Sequence, residues 1–253
     1  MTRRLLPATA TAVYAFLHLP LLVLAVFSFN SSRFTLWQGF SLHWYRAALQ
    51  DQQLVDATLN SLLIAVVATA AATVIGTLCA YALWKRDVPV ITMSLSLSLV
   101  TPEIVAGISL LALFQWVFRV FSFQLGLHTV ILAHVSFCIS FVVIVVLARL
   151  RTFDSSLEEA ALDLGATEWQ AFHRVTLPNL VPAIVSAALL AFTISFDDYV
   201  IASLVAGVDS ETLPMVLYAI ARRGANPVVN AISTVIVLGL GVLIMASERL
   251  KES

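Results

Sequence analysis

Long hydrophobic runs without charged residues alternate with short polar segments along the whole chain. The first run, from Leu5 to Ser32, contains no Asp, Glu, Lys or Arg, and the second extends from Ala57 to Trp84. Such runs reach the roughly 20 residues that an α-helix needs to cross a bilayer, and they are far longer than barrel strands. The pattern predicts six transmembrane helices at about residues 6–30, 57–84, 89–118, 127–148, 183–205 and 228–247.

The composition supports this interpretation. Hydrophobic residues make up 60% of the 253 residues and charged residues 11%, with a mean hydropathy of +0.95, which is too apolar for one soluble core. We therefore predict an all-α membrane protein with a single transmembrane domain over residues 1–253. Cys79 and Cys138 lie deep in apolar runs, so two buried thiols are expected rather than a disulfide framework.

The distribution of basic residues predicts the orientation in the membrane. Six spans place both termini on the same side. With the N-terminus in the cytoplasm, nine of the Lys and Arg residues fall on inner segments and five on outer segments. Because cytoplasmic loops carry an excess of Lys and Arg, we predict that both termini and the segment 149–182 are cytoplasmic.

The segment 149–182 is the longest charged, amphipathic interruption of the hydrophobic pattern. Ser156 with Glu159 three residues later has the spacing of a capping box, which predicts the start of a short helix. Gly165 stands where that helix would end in a left-handed residue. These signals predict a helix followed by a glycine corner.

A second short helix is predicted after this corner. Thr167 and Gln170 repeat the capping-box spacing, and the helix is expected to stop before Pro178. The apolar face predicted for the pair consists of Leu157, Ala160, Ala161, Leu164, Trp169, Phe172 and Val175. A short helix pair cannot bury such a face alone, so it packs on its own membrane helices, on a partner, or on both. From amphipathicity alone, a connecting loop lying on the membrane is an equal alternative.

The same segment contains a recognisable motif. Its residues are Glu159, Ala160, Ala161, Gly165, Leu177 and Pro178. This E-A-A-x-x-x-G pattern with a distal L-P resembles the EAA loop of binding-protein-dependent ABC importer permeases, the MetI-like family. The resemblance implies the type I importer permease fold, with the loop between the fourth and fifth of six helices. It also implies that the loop is a coupling helix that inserts into a cytoplasmic ATPase, whose closure tilts the transmembrane helices.

Nucleotide chemistry is expected to reside on another subunit. The chain contains no G-x-x-x-x-G-K-[ST] motif, so ATP and Mg²⁺ would be bound by a separate ATPase subunit. We predict no cofactor, no catalytic residue and no metal site in this chain, and no nucleic acid among its partners.

The resemblance extends over nearly the whole chain. The segments that carry it are 101–105 (TPEIV), 195–201 (SFDDYVI), 212–214 (TLP) and 226–231 (NPVVNA). They are similar to the spermidine/putrescine permeases, in particular the subunit called the C component. This resemblance implies a bacterial inner-membrane protein that pairs with a homologous second permease. It also implies an ATPase dimer and a periplasmic polyamine-binding protein as partners.

Carboxylates within the apolar runs indicate a cation path. Inserting a carboxylate at bilayer depth costs about 2.5 to 3.5 kcal/mol of free energy, so the presence of Glu103, Asp197 and Asp198 in these runs requires a functional or structural explanation. If unbroken helices start at Val88 and Pro182, Glu103 and Asp197 lie about 22 Å along them, at a similar depth. Acids on two helices at one depth would select cations. The alternative is a buried network with a polar partner, or an Asp exposed at a helix end, mostly for one member of the Asp pair. Spacing does not choose between Asp197 and Asp198.

Neighbouring residues complete the predicted path. Pro102 cannot donate a hydrogen bond, and the carbonyl that it frees could bind a cation. Trp44 and Tyr45 could contribute cation–π contacts at the outer mouth of the path. Tyr199, which follows the two Asp residues, is also predicted to line the path. For Trp44 and Tyr45, a place in the aromatic belt at the membrane–water boundary is an equal alternative. His18, His128 and His134 are isolated in sequence, and helix packing is the default role for them.

Three classes of function are compatible with a polytopic membrane protein. We favour an ABC importer permease for polyamines or, within the same family, for another small organic solute. An ion-coupled secondary transporter would use the intramembrane acids for its coupling ion and need no ATPase. An intramembrane enzyme is disfavoured, because neither H-E-x-x-H spacing nor a persuasive nucleophile–base pair is present.

Overall fold

The computed structural model is built from helices joined by short segments. It describes the backbone of residues 2–33, 36–121, 124–224 and 226–252, and the side chains of residues 7, 9–33, 36–120, 124–224, 226–242 and 245. The helices are α1 Thr2–Phe27, α2 His43–Gln50, α3 Gln52–Lys85, α4 Pro89–Val100, α5 Glu103–Phe121, α6 Leu127–Leu150, α7 Ser156–Asp163, α8 Glu168–Ala171, α9 Leu177–Asp197, α10 Val200–Val205, α11 Leu213–Arg222 and α12 Pro227–Glu252. A π-helical segment, Phe172–Thr176, joins α8 to α9.

Most of the predicted spans coincide with long helices. Within the described residues, the stretches long and apolar enough to cross a membrane are Thr9–Phe27, Gln52–Lys85, Glu103–Val120, Leu127–Leu150 and Glu168–Asp197. The predicted sixth span falls in α12, whose described apolar part is the shorter stretch Pro227–Val242. Arg3, Arg4, Arg249 and Lys251 lie outside the described side chains. Six spans and cytoplasmic termini therefore stay predictions.

The predicted third span, 89–118, consists of two helices, with the break at Pro102. α4 ends at Val100, and Thr101 has an extended backbone with ψ of 127° before α5 begins at Glu103. Pro102 causes the break, because its ring disfavours a helical conformation at the preceding residue and it has no N–H to donate. The Pro102 carbonyl then accepts the N–H groups of Val105 and Ala106 and so starts the first turn of α5.

The predicted fifth span, 183–205, begins too late and is interrupted before its predicted end at residue 205. The chain is already helical from Glu168, and α9 ends at Asp197, two residues before α10. Pro178 does not stop the helix, because the N–H of Leu177 closes a wider π turn on the carbonyl of Phe172 and Pro178 then occupies the first turn of α9. The depth comparison of Glu103 with Asp197 needs unbroken helices from residues 88 and 182. The helix is continuous from residue 182 to Asp197, whereas the break at Pro102 contradicts the assumption for Glu103.

The chain divides into two compact units, residues 1–56 with 216–243 and residues 57–215 with 244–253. The single-domain organisation stays a prediction. The first unit contains α1 and α2, and an isolated antiparallel bridge between Asn30 and Phe40 closes the loop between them. α2 and α11 lie between predicted spans, in the segments 31–56 and 206–227, so both of these connecting segments are partly helical.

In the second unit, α6 packs against α3 and α9 around a shared core. Its buried residues include Val142 and Val146, which meet small residues such as Ala72 of α3 and Ala187 of α9. Gly76 permits the close approach of α3, because a Cβ at this position would lie 2.7 Å from Cγ1 of Val142. Small residues at helix contacts are typical of membrane proteins, where close packing replaces the hydrophobic effect.

Candidate substrate path and coupling segment

Asp198 lies at the break between α9 and α10, and its carboxylate is held inside the protein. It is 9% exposed, and its two oxygens accept the N–H groups of Ile201, at 3.3 Å, and Ala202, at 2.8 Å. A carboxylate that caps the first turn of a helix satisfies N–H groups that have no partner within that helix. Asp198 therefore matches the alternative of a buried network that holds one member of the Asp pair.

His134 of α6 belongs to the same network and has the helix-packing role that was expected for it. The ring is fully buried, with Nδ1 at 2.7 Å from Ser195 Oγ and Nε2 at 3.2 Å from Asp198 Oδ2. Ser195 and Asp198 flank the end of α9, so His134 ties this end of the helix to α6. Ser195, His134 and Asp198 are the residue types of a Ser-His-Asp catalytic triad. All three side chains are buried, so the arrangement resembles a triad in composition only.

Loss of the Asp198 charge is expected to destabilise the protein. Asp198→Asn should lower the free energy of unfolding by about 1–3 kcal/mol, because two buried N–H groups and His134 lose a charged partner. Asp197→Asn alters an exposed carboxylate and is the matched control, with an expected change of less than about 0.5 kcal/mol. Thermal denaturation of the detergent-solubilised protein measures both. Equal shifts of the midpoint in the two variants would contradict this assignment.

Asp197 and Glu103 are the predicted path residues that remain accessible. Asp197 is the last residue of α9 and is exposed, whereas Tyr199 is half-buried between α9 and α10. Glu103 is exposed as the first residue of α5, a position that the helix dipole favours for an acid. α5 packs against α10, with Gly107 against Leu204. Two accessible carboxylates thus stand at helix ends on adjoining elements of one unit.

Trp44 and Tyr45 are packed within the first unit. Trp44 is 5% exposed and donates its indole N–H to the Asn30 carbonyl at 2.7 Å, and the Arg33 guanidinium lies 5.8 Å from its ring. The Tyr45 hydroxyl hydrogen-bonds Ser28 Oγ at 2.7 Å. Both side chains therefore hold the loop after α1 in place. A contact of Trp44 or Tyr45 with substrate stays a prediction.

The coupling segment, residues 149–182, begins as the sequence predicts, with a helix and a glycine corner. α7 ends at Asp163, and Gly165 has φ of +89°. The N–H of Ala166 donates to the Ala161 carbonyl and that of Gly165 to the Leu162 carbonyl, which is the bonding of a Schellman motif. A residue with a Cβ is strained at this φ, which is the physical reason for a glycine at this corner.

One predicted capping box is present and the other is not. The Thr167 N–H donates to the Gln170 side chain at 2.9 Å, and the Gln170 N–H donates back to Thr167 Oγ1 at 3.3 Å. The Ser156 box is wrong, because the cap residue of α7 is Ser155 and the Ser156 N–H instead donates to Asp154 Oδ1. Ser156 is already the first helical residue, and the Glu159 N–H, which the predicted cap would bond, donates to the Ser155 carbonyl.

The buried residue of α7 is Glu158, which the sequence analysis did not select. It is 1% exposed. Its carboxylate accepts hydrogen bonds from Tyr81 and Thr176, each at 2.8 Å, and forms an ion pair with Lys85 at 2.5 Å. Burial raises the pKa of Glu158, but the bonds from Lys85, Tyr81 and Thr176 outweigh it, so the pKa lies below its usual value. The carboxylate is ionised at neutral pH, and its contribution to stability is lost only as the pH falls through this lowered pKa.

The predicted apolar face of the coupling segment is largely outward-facing. Leu164 is 90% exposed, Trp169 66% and Leu157 47%, whereas Phe172 is buried. Among the motif residues, the exposed ones are Glu159, Ala160, Gly165 and Pro178, and the half-buried ones are Ala161 and Leu177. Of the predicted alternatives, packing on the membrane helices of this chain therefore does not apply to the three exposed side chains, because Glu158 takes the inner position of α7. Packing on a partner stays a prediction for them.

Comparison with known families identifies the chain. Residues 72–250 match the family described as "Binding-protein-dependent transport system inner membrane component". The chain belongs to this family. The permease resemblance of the E-A-A-x-x-x-G segment is confirmed, and this permease is a membrane transport subunit rather than an enzyme. Within the described residues, no group of three or more His, Cys, Asp or Glu side chains is arranged to hold a metal ion.

Individual relatives cover nearly the whole permease. It is 40% identical over 242 residues to "Spermidine/putrescine transport system permease protein PotC" of Escherichia coli (strain K12), covering 94% of this chain and 90% of the relative. It is 42% identical over 237 residues to "Putrescine transport system permease protein PotI" of the same strain, covering 91% and 84%. A chain of a bacterial alginate ABC transporter, solved in complex with an alginate pentasaccharide-bound periplasmic protein, shares its fold. The TM-score is 0.73 at 16% identity, over 98% of this chain and 93% of that one.

Proposed function

We propose that this permease is a transmembrane subunit of an ATP-driven importer for polyamines. The substrates in the names of PotC and PotI support this choice. The exposed carboxylates of Asp197 and Glu103 suit ammonium groups, since charge-assisted hydrogen bonds to carboxylates are the strong ones. Another small organic solute is the alternative within the family, and it becomes an outcome of the test below.

The topology that accompanies this proposal has six spans with both termini in the cytoplasm. The excess of Lys and Arg on the inner segments supports it. In this orientation the coupling segment faces the cytoplasm, and the breaks at Pro102 and Asp198 lie within the third and fifth spans.

The observation that carries the coupling role is the exposed apolar surface of α7 and α8. Leu157, Leu164 and Trp169 project outward in a segment that is predicted to lie outside the membrane, and soluble surfaces rarely leave such side chains uncovered. We assign an ATPase subunit as the partner that covers them, with the exposed Glu159 and Gly165 at the contact. ATP and Mg²⁺ would be bound by that ATPase dimer, and this chain would bind no cofactor.

Two further partners follow from the same proposal. A homologous second permease would share the translocation path. A periplasmic polyamine-binding protein would dock on the outer segments 33–56 and 206–228, and the family description and the periplasmic protein bound to the alginate transporter support such a partner. Membrane lipid would surround the remaining apolar surface.

Reconstitution tests the substrate and the energy source together. The permease would be co-purified with its ATPase, second permease and binding protein and placed in proteoliposomes. We expect spermidine or putrescine with the binding protein to stimulate ATP hydrolysis about threefold or more and to drive uptake that requires ATP, since a coupled effector typically changes an equilibrium by at least about fivefold. Amino acids and sugars are the control solutes.

The outcome separates the alternatives. Stimulation by a different solute class would contradict the polyamine assignment and support another substrate. Uptake that persists without ATP and stops when an ionophore collapses the ion gradient would contradict the ATP-driven mechanism and support a secondary transporter.

A further inference from the structure

Glu158 is a buried carboxylate on a helix whose other residues are exposed or half-buried. It lies on α7, where Leu157 and Glu159 on either side of it are exposed. A buried charge is costly unless it is paired and its remaining acceptor positions are hydrogen-bonded. The Glu158 carboxylate meets this requirement with Lys85, Tyr81 and Thr176 as donors. A salt bridge that served only to hold a surface helix would not need this degree of burial.

The donors belong to two different long helices. Lys85 and Tyr81 occupy the last turns of α3. Thr176 is the last residue of the π-helical segment, within the continuous helix that runs from Glu168 to Asp197. One carboxylate thus bonds α7 to the end of α3 and to the beginning of the helix that ends at Asp197.

Aromatic contacts make the junction rigid. The Tyr81 ring lies 4.4 Å from the Phe172 ring, centroid to centroid, and Phe172 is buried. The Lys85 ammonium lies 4.9 Å from the Trp84 ring centroid, a cation–π distance that limits where the ammonium can go. Tyr81 therefore cannot follow a displaced Glu158 without also moving against Phe172. Closely packed side chains of this kind transmit a displacement to their neighbours, because a close-packed interior is nearly incompressible.

We propose that Glu158 is a positioning residue that transmits movement of α7 to α3 and to the helix that ends at Asp197. The inference rests on the proposed function, because it takes α7 as the element that the ATPase moves. The exposed side of α7 contacts the ATPase, and the Glu158 carboxylate on the opposite side carries the displacement inward. Transport per ATP should then depend on Glu158 even though the residue touches neither nucleotide nor solute.

Neutral variants of the ion pair test this role in the reconstituted complex. Glu158→Gln keeps the shape and one carbonyl acceptor, whereas Lys85→Met keeps the apolar stem of the lysine. We expect either variant to lower uptake per ATP hydrolysed by about tenfold, within the range by which residues along a coupling network change coupling. ATP hydrolysis should persist. Asp87→Asn and Arg86→Gln, both exposed and close to Lys85 in sequence, are matched controls, and both are expected to retain the normal ratio.

A double-mutant cycle tests whether Glu158 and Lys85 act as one unit, and the ratio of uptake to ATP hydrolysis distinguishes coupling from simple stability. The Glu158→Gln, Lys85→Met double variant should be no worse than the single variants, because the two residues act as one unit. Additive losses, or uptake and hydrolysis that fall in parallel, would overturn the inference. If Glu158→Gln does not assemble, Tyr81→Phe and Thr176→Val each remove a single hydroxyl donor, and an unchanged ratio in both would overturn it equally. Loss of ATP dependence in the unmodified complex would instead contradict the proposed function.

Discussion

Asp197→Asn is expected to lower polyamine uptake by about tenfold or more while the complex assembles normally. Two opposite charges 4 Å apart attract with about 4 kcal/mol at an effective dielectric constant of 20, and 1.4 kcal/mol corresponds to tenfold. Asp197 is exposed at the end of α9, so its removal costs the fold little. Uptake of labelled spermidine or putrescine into proteoliposomes, at matched amounts of assembled complex, measures the effect.

The comparison with Asp197→Glu isolates the charge. This variant keeps the carboxylate and should retain most of the uptake, whereas Asp87→Asn, a neutral replacement between α3 and α4, should leave it unchanged. Uptake by Asp197→Asn within about twofold of the unmodified protein would remove Asp197 from the path, since the loss of one charge contact normally exceeds that factor.

Gly165→Val is expected to reduce ATP-coupled uptake by about tenfold or more without preventing insertion into the membrane. Valine at φ of +89° is strained by about 1–3 kcal/mol, so the corner between α7 and α8 would relax to another backbone conformation. The Schellman bonds of Ala166 and Gly165 would be lost with it. The exposed side chains of α7 and α8 would then no longer face an ATPase together. Uptake and ATP hydrolysis measured on the same proteoliposomes test this expectation.

Gly165→Asn is the matched control, because asparagine tolerates positive φ better than β-branched residues. No other group lies within 4 Å of the position that a Cβ would occupy at Gly165, so size alone does not cause a clash. Asn should therefore retain most of the activity. Equal loss in both variants would point to a direct contact of the glycine with a partner instead of its backbone conformation.

The long helices were predictable because hydrocarbon imposes a continuous apolar run on any spanning segment. α6 was expected at 127–148 and occupies Leu127–Leu150. The interruptions were harder to place. Pro102 breaks its span, as the proline rule suggests, whereas Pro178 does not, because a π turn before it provides a different hydrogen-bonding pattern. Which outcome occurs depends on the packing of the surrounding turns and not on the proline itself.

The candidate site shows the same division between local and distant information. The glycine corner and the Thr167–Gln170 cap depend on residues close in sequence and were predicted correctly. Asp197 and Asp198 are adjacent, so local pattern could not separate them. His134, some 60 residues earlier in the chain, selects Asp198 for the interior and leaves Asp197 exposed.

The sequence by itself determined the membrane class, most helix positions, the E-A-A-x-x-x-G motif and the family, because each depends on hydrophobic runs or short spacings. Only the tertiary structure decided which acids are buried. Glu158 and its neighbour Glu159 are the same residue type, yet Tyr81, Lys85 and Thr176 surround only Glu158. A buried charge is stable only where donors from distant parts of the chain converge on it, and that convergence exists only once the helices have packed.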